Sequence, residues 1–238
     1  NCEDYFANSS LDFKDIDNIK SMEILVHNNK KWHKNFMKII TSKGNIISPK
    51  YKKNYLGKLT IVYKETECIL DIKIRQNGDF KDHVNLFDNN TPLQSVNIRI
   101  LKNGNVLGIN SFKLLIPETR NGDNEVFATT ILSEFDILAP RTFNIMVKLN
   151  DNNFQQMLFQ ENPVKEFLEH NSRREGPIFE ASEEILWSYR LQNKADPADR
   201  VLIRQTNPKF SIKNDSLEKN SLFWFSILQK TYIEYHSV

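Results

Sequence analysis

The segment from Ser111 to Glu161 constrains the fold more than any other part of this chain, because its residue pattern predicts a strand, a helix and a hairpin in that order. Ser111–Ile116 is an apolar run with one lysine and predicts a strand, and Glu125–Phe135 predicts an amphipathic helix after a polar turn. Thr142–Leu149 and Phe154–Phe159 flank an Asn-Asp-Asn-Asn turn, which predicts a hairpin. This order of strand, helix and hairpin predicts an α+β domain with an antiparallel sheet crossed by a helix.

The charge in the first of these strands is Lys113. Alternation along a strand puts Lys113 and Leu115 on one face and Phe112 and Leu114 on the other. A lysine that faces a cleft from a rigid strand can pair with nucleotide phosphates as a point charge. The alternative is a lysine on the solvent side of a half-exposed strand, and the pattern leaves both open.

Three carboxylates are candidate partners for this lysine. Glu125 begins the predicted helix, where a carboxylate also suits the helix dipole on any fold. Glu134 lies near the same face of the helix, so the sequence does not choose between the two. Glu161 ends the hairpin, where it is either part of the edge of a nucleotide site or an ordinary carboxylate at a strand end.

Two further segments contain residue types that bind phosphate groups. Arg75, Gly78 and Asp79 lie in the predicted turn after an Asp71–Ile74 strand, and a glycine there lets backbone amides approach a phosphate. A plain hairpin turn accounts for the same residues. The stretch Lys43–Lys58 holds five lysines interleaved with tyrosines, which indicates either a solvated face or a contact with phosphate or polysaccharide.

Longer runs of sequence resemble one known family. They are Phe112–Arg120, Leu138–Phe143, Val147–Asn150 and Met157–Glu161. The spore-coat-protein-H-like (CotH-like) atypical kinases carry a similar lysine strand, a helix ending near LG-x-x-x-P-R, and a hairpin of the form V-x-x-N-G-x-Y-x-G-x-Y-x-x-x-E. The resemblance covers about residues 70–180, and Asn153 and Gln156 stand where the family has hairpin glycines.

The resemblance implies an antiparallel sheet with a crossing amphipathic helix, like a kinase N-lobe, followed by a helical segment. It implies that the chain is the nucleotide-binding part of a kinase that transfers phosphate to a cell-envelope or surface partner. It also implies ATP with Mg²⁺ or Mn²⁺ as cofactors and a nucleotide site formed by Lys113, Glu125, Glu161 and Arg75. The alternative function is a non-catalytic surface module that binds a glycan or a protein.

Composition and pattern set the domain organisation. With 238 residues and 39% apolar residues, the chain is long enough for one large or two small domains. We expect a sheet-rich lobe over residues 1–162, with a polar N-terminal lead-in, and a helical segment over residues 163–238. The long amphipathic pattern at Leu217–Tyr235 belongs to that second part. No acidic metal motif follows, so this chain by itself is expected to be inactive as an enzyme.

The remaining expectations concern compartment and partners. The net charge of +2 gives no general attraction to nucleic acid, and no run approaches the ~20 apolar residues that span a bilayer. The chain begins with Asn1-Cys2 and no methionine, which indicates a mature or excised fragment. Cys2 and Cys68 permit one disulfide, and two separate thiols are the other option. We therefore expect a secreted or cell-envelope location.

Overall fold

A computed structural model describes residues 16, 18–86, 92–102, 104–181, 203–205 and 223 of the chain. The chain divides into two compact units, residues 1–162 and residues 163–238. The described residues leave out most of the predicted N-terminal lead-in, including Cys2. Of the helix predicted at Leu217–Tyr235, they include Phe223 alone.

Nine strands are described in the first unit. They are β1 (Ile19–Val26), β2 (Tyr55–Tyr63), β3 (Thr66–Gln76), β4 (Val84–Leu86), β5 (Pro92–Gln94), β6 (Val96–Ile100), β7 (Ser111–Leu115), β8 (Thr142–Leu149) and β9 (Gln155–Glu161). The predicted hairpin is present as β8 and β9, and the predicted lysine strand is present as β7. Strands β4 and β5 form a separate two-stranded sheet.

The other seven strands form a closed barrel in the order β1-β2-β3-β6-β7-β9-β8. Neighbours pair antiparallel except at the closure, where β8 pairs with β1 in parallel, for example Ser21 with Met146. The predicted fold, an α+β antiparallel sheet with a crossing amphipathic helix, like a kinase N-lobe, followed by a helical segment, is therefore wrong. The physical reason is that β1 pairs along both of its edges, with β2 and with β8, which leaves no open edge between the first and last barrel strands.

Apolar side chains from alternate positions of the strands fill the barrel interior. In β3, Ile72 and Ile74 are fully buried, while Lys73 between them is exposed. Phe159 of β9 stacks on two rings, Phe112 and Phe143, with centroids 4.4 Å apart in each case. A closed interior of this kind buries large side chains from every strand and holds the strand register firmly.

Helix α1 (Asn29–Thr41) has the bounds that the sequence predicts from the helical spacing of its apolar residues Trp32, Phe36, Met37 and Ile40. The side chain of Asn28 caps it by accepting a hydrogen bond from the amide of Lys31 at 3.1 Å. Its buried residues are Trp32, Phe36 and Ile39, so Ile39 is buried without having been predicted, and Met37 of the predicted stripe is exposed. Trp32 packs edge-on against Tyr55 of β2.

Helix α2 (Asn124–Glu134) follows a 3₁₀ turn at Pro117–Arg120 and lies against the outside of β8. The sequence predicted an amphipathic helix here, but only Thr129 is buried, and Phe127 and Ile131 are exposed. Its first turn is the part that is tied to the barrel, through a hydrogen bond of 2.7 Å from Asn144 Nδ2 to Asp123 Oδ1.

The described part of the second unit contains helix α3 (Lys165–His170) and a two-stranded antiparallel sheet of β10 (Phe179–Ala181) and β11 (Ile203–Gln205). Helix α3 agrees with the helical segment predicted over residues 163–238, but the strand pair contradicts a purely helical second part. Its strands are separated by more than twenty residues in the sequence, so no local turn signal marks the pairing.

Candidate functional site

A row of polar residues crosses the outer face of the barrel. Arg75 in β3 is directly opposite Asn97 in β6, Asn97 is opposite Lys113 in β7, and Lys113 is opposite Gln160 in β9. We call these four residues the polar row. Their neighbours in each strand point into the apolar interior, so alternation places all four side chains on the outside.

The N-terminal end of α2 covers one end of the polar row. Gln160 is only 6% exposed although it faces outward, because α2 lies over it. Its Nε2 donates a hydrogen bond of 2.7 Å to Glu125 Oε1. The structure therefore brings Glu125 and Lys113 to the same residue, one through a side-chain hydrogen bond and the other as the facing residue of the adjacent strand.

The other helix carboxylate is not part of this arrangement. Glu134 is the last residue of α2 and is exposed. With a rise of about 1.5 Å per residue, it lies roughly 13 Å along the helix from Glu125. The sequence left Glu125 and Glu134 open as partners of Lys113, and the structure places Glu125 beside the polar row.

The two cations of the polar row are half-buried and two strands apart. With strands spaced about 4.8 Å apart, the Arg75 and Lys113 backbones are roughly 10 Å from each other, within reach of two long side chains that converge on one anion. Both residues already take part in polar or electrostatic interactions within the protein. An anion that binds here would join or replace those interactions.

Glu161 lies on the opposite side of the sheet from the polar row. It points into the end of the barrel and is 1% exposed. Its two carboxylate oxygens accept hydrogen bonds of 2.9 Å from Nε and Nη2 of Arg141, and Arg141 Nη1 donates to the carbonyl of Leu107 at 2.6 Å. This pair is a bidentate, buried contact of the kind that holds two segments in register. The structure thus separates Glu161 from the other predicted site residues.

The turn after Arg75 holds a second polar cluster, centred on His83. Gly78 has φ +93°, and its lack of a side chain lets the His83 ring lie against it. Nδ1 of His83 is 2.9 Å from the hydroxyl of Ser95, which also accepts a hydrogen bond from the amide of Ile116 at 3.0 Å. Ser95 is fully buried, so this histidine–serine pair joins strands and is closed to a substrate.

The charges around this histidine have opposing effects. Burial lowers the pKa of His83 below its ordinary value, and the positive charges of Arg120 and Lys52 lower it further. The carboxylates of Asp82 and Asp79 act in the opposite direction. Asp79, which the sequence placed in a candidate phosphate turn, forms an ion pair with Lys52. Gly78 and Asp79 therefore shape the turn around His83.

Sequence reasoning missed Asn97 and Gln160, which connect the predicted cations to the helix. Both are polar residues in otherwise largely apolar strands. The alternation of polar and apolar residues in these strands predicts which face of the sheet each side chain lies on. Their partners depend on strand register, which alternation in a single strand does not give.

Two properties of the described residues bear on cofactors and membranes. No group of three or more His, Cys, Asp or Glu residues in this part of the chain could hold a metal ion. None of the described helices combines the length and apolar character needed to cross a membrane.

Comparison with known proteins adds no family to these observations. No family model matches the sequence, and no curated protein matches it.

Proposed function

We propose that the first unit binds the phosphate groups of ATP at the polar row, as the nucleotide-binding part of a CotH-like atypical kinase. The observation that carries the proposal is the meeting of Lys113 and Glu125 at Gln160, with Arg75 on the same face. A strand lysine beside a helix carboxylate is the arrangement that positions phosphates in kinases.

Each member of the row has a chemical role in this proposal. Lys113 supplies a point charge, and Arg75 offers a planar set of donors suited to a phosphate group. Glu125 accepts the hydrogen bond from Gln160 Nε2 and so fixes this side-chain amide next to Lys113. Asn97, between the two cations, adds a neutral hydrogen-bond donor.

Phosphoryl transfer would require more than this row. Mg²⁺ or Mn²⁺ would supply charge stabilisation on the phosphates, and such ions need several oxygen ligands. The described residues offer no group that fits this need. We therefore expect that this 238-residue chain binds ATP without transferring phosphate to a surface or cell-envelope partner.

The test is a titration of the full chain with a fluorescent ATP analogue, followed by competition with ATP. Lys113→Gln and Arg75→Gln should each weaken binding by about tenfold, because each removes a charge at the phosphates. Lys73→Gln is the matched control, since Lys73 is an exposed outward cation of β3 two residues from Arg75. It should change the affinity less than twofold.

Two results would count against the proposal. One is equal affinity of the wild type, Lys113→Gln and Lys73→Gln, and the other is no competition by millimolar ATP. A parallel incubation with radiolabelled ATP and Mg²⁺ or Mn²⁺ should show no transfer above background. Transfer that Lys113→Gln abolishes would show a complete enzyme.

A further inference from the structure

The positive charge of this chain is concentrated in one continuous segment. From Ile24 to Lys64 the sequence has ten lysines and no aspartate or glutamate, although the whole chain has a net charge of only +2. The rest of the chain therefore has a net charge of 2 − 10 = −8. Such a separation of charge creates a local positive field in a nearly neutral protein.

Part of this segment forms a cleft of about 510 Å³, here called the lysine cleft. Its cations are Lys38 of α1, Lys50 of a 3₁₀ turn at Pro49–Tyr51, and Lys53 of the loop after that turn. All three are exposed, and none forms an ion pair within the described part of the chain. Tyr51 lies between the two loop lysines, with Lys50 Nζ 5.0 Å from its ring centroid.

Internal hydrogen bonds hold the walls of the lysine cleft in place. Asn35 Nδ2 donates to the carbonyl of Tyr51 at 2.8 Å and so ties α1 to the 3₁₀ turn. Lys81 donates to the carbonyls of Ile40 and Ser42 at the end of α1. The cleft is therefore a preformed feature between two segments joined side by side.

The aliphatic hydroxyl groups of the cleft, Thr41 and Ser42, use their donors internally. Thr41 Oγ1 donates to the carbonyl of Met37 at 2.8 Å, and Ser42 Oγ donates to the carbonyl of Ile39 at 2.7 Å. One N–H of the Asn35 amide is also used internally, and the oxygens of all three side chains keep lone pairs that can accept hydrogen bonds. The lysine cleft thus combines cations for acidic groups with acceptors for hydroxyl groups.

We propose that the lysine cleft binds an acidic polysaccharide, whose carboxylates pair with the lysines and whose hydroxyls donate to the acceptor oxygens. Duplex DNA fits less well, because its backbone offers phosphate acceptors and no sugar hydroxyl donor. Cys68 is disulfide-bonded, which favours an oxidising compartment where glycans are abundant. The segment contains lysines and no arginine. Lysines act as separate point charges, which suit carboxylates spaced along a polymer better than the bidentate contacts that arginine forms with a single group.

The experiment measures binding of the full, oxidised chain to fluorescein-labelled polygalacturonate, with neutral dextran and a DNA duplex as comparison ligands. The variant Lys38→Gln/Lys50→Gln/Lys53→Gln should weaken polygalacturonate binding by about tenfold or more, and added salt should weaken wild-type binding. The control Lys102→Gln/Lys148→Gln/Lys165→Gln removes the same charge from lysines that pair with acids elsewhere. It should change the affinity less than twofold.

A second variant tests the hydroxyl acceptors. Thr41→Val keeps the shape of an exposed side chain and removes its oxygen, so it should weaken polygalacturonate binding a few-fold while any DNA binding stays unchanged. Equal losses in both triple variants would reduce the effect to total charge and overturn the proposal. DNA binding as tight as polygalacturonate binding, and equally sensitive to the cleft variant, would overturn the choice of partner. ATP affinity should not respond to the cleft variant, so the two proposals can fail separately.

Discussion

Arg141 and Glu161 form a bidentate ion pair inside the end of the barrel, and the backbone joins them as well, since the amide of Glu161 donates to the carbonyl of Arg141 at 3.0 Å. Both are almost completely buried, Arg141 at 6% and Glu161 at 1% exposed. At this degree of burial, solvent water cannot replace either partner in the ion pair. Replacing one partner should therefore destabilise the protein more than replacing both with apolar residues.

Arg141→Met should lower the free energy of unfolding by about 3–5 kcal/mol, because it leaves the Glu161 carboxylate buried without its partner. Urea unfolding followed by circular dichroism measures this. The double variant Arg141→Met/Glu161→Leu should recover a large part of the loss. Lys148→Met, which breaks a half-exposed pair with Glu23, should cost no more than about 1 kcal/mol. A loss as small for Arg141→Met would contradict the buried geometry.

Gly78 should not tolerate a side chain. A Cβ atom there would lie 2.1 Å from the His83 ring, and the backbone has φ +93°. Gly78→Ala should therefore cost about 2–5 kcal/mol from backbone strain and overpacking together. Gly122 has φ +65°, and a Cβ atom added there would meet nothing within 4 Å, so Gly122→Ala should cost only about 1–2 kcal/mol. Equal midpoints in urea for the two variants would show that the His83 ring moves freely.

His83 should make the protein less stable in mild acid. Because burial lowers its pKa in the folded protein, the unfolded chain takes up a proton first as the pH falls below about 6.5. The free energy of unfolding should then fall by up to about 1.4 kcal/mol per pH unit from this group. His83→Asn should flatten the dependence measured between about pH 7.5 and pH 5.5, the range around the ordinary histidine pKa. An unchanged slope in His83→Asn would assign the acid sensitivity to other groups.

The disulfide at Cys68 should be visible in the mass of the alkylated protein. Without reductant, iodoacetamide in denaturant should modify no cysteine, and after reduction it should modify both cysteines of the chain. Reduction should lower the stability by about 2–4 kcal/mol if the bond closes a long loop. In Cys68→Ser the reductant should have no effect on the melting temperature. Two reactive thiols in unreduced protein from an oxidising compartment would refute the bond.

Local pattern predicted the elements of this protein well. The bounds of α1 and β8 follow from the spacing of apolar residues and the caps and turns beside them, and both are as predicted. The helix predicted at Glu125–Phe135 is present as Asn124–Glu134, but its apolar residues Phe127 and Ile131 remain on the surface. Periodicity locates a helix, and it does not say which neighbour covers the apolar face.

The barrel and the site depend on relations that no single segment contains. The pairing of Ser21 with Met146 closes the barrel, and no local signal marks it. Alternation placed Lys113 on the face of its strand opposite Phe112 and Leu114. Arg75 was assigned to a turn but lies in β3, and the register through Asn97 puts the two cations in one row. Glu161 and Gln160 are consecutive in the sequence, so a shift of one residue decides which of them faces the row.

The parallel pairing of β1 with β8 also bears on how the chain is made. The amide of Val26 donates to the side-chain oxygen of Asn150 at 2.8 Å, across 124 positions of sequence. At translation rates of about 5–20 residues per second, that interval takes roughly 6–25 s to synthesise. During this time one edge of β1 has no partner on the nascent chain and is open to wrong pairing with other strands. Ribosomes stalled before Thr142 should therefore carry an incomplete, aggregation-prone sheet, and a chaperone that shields strand edges would act within this interval.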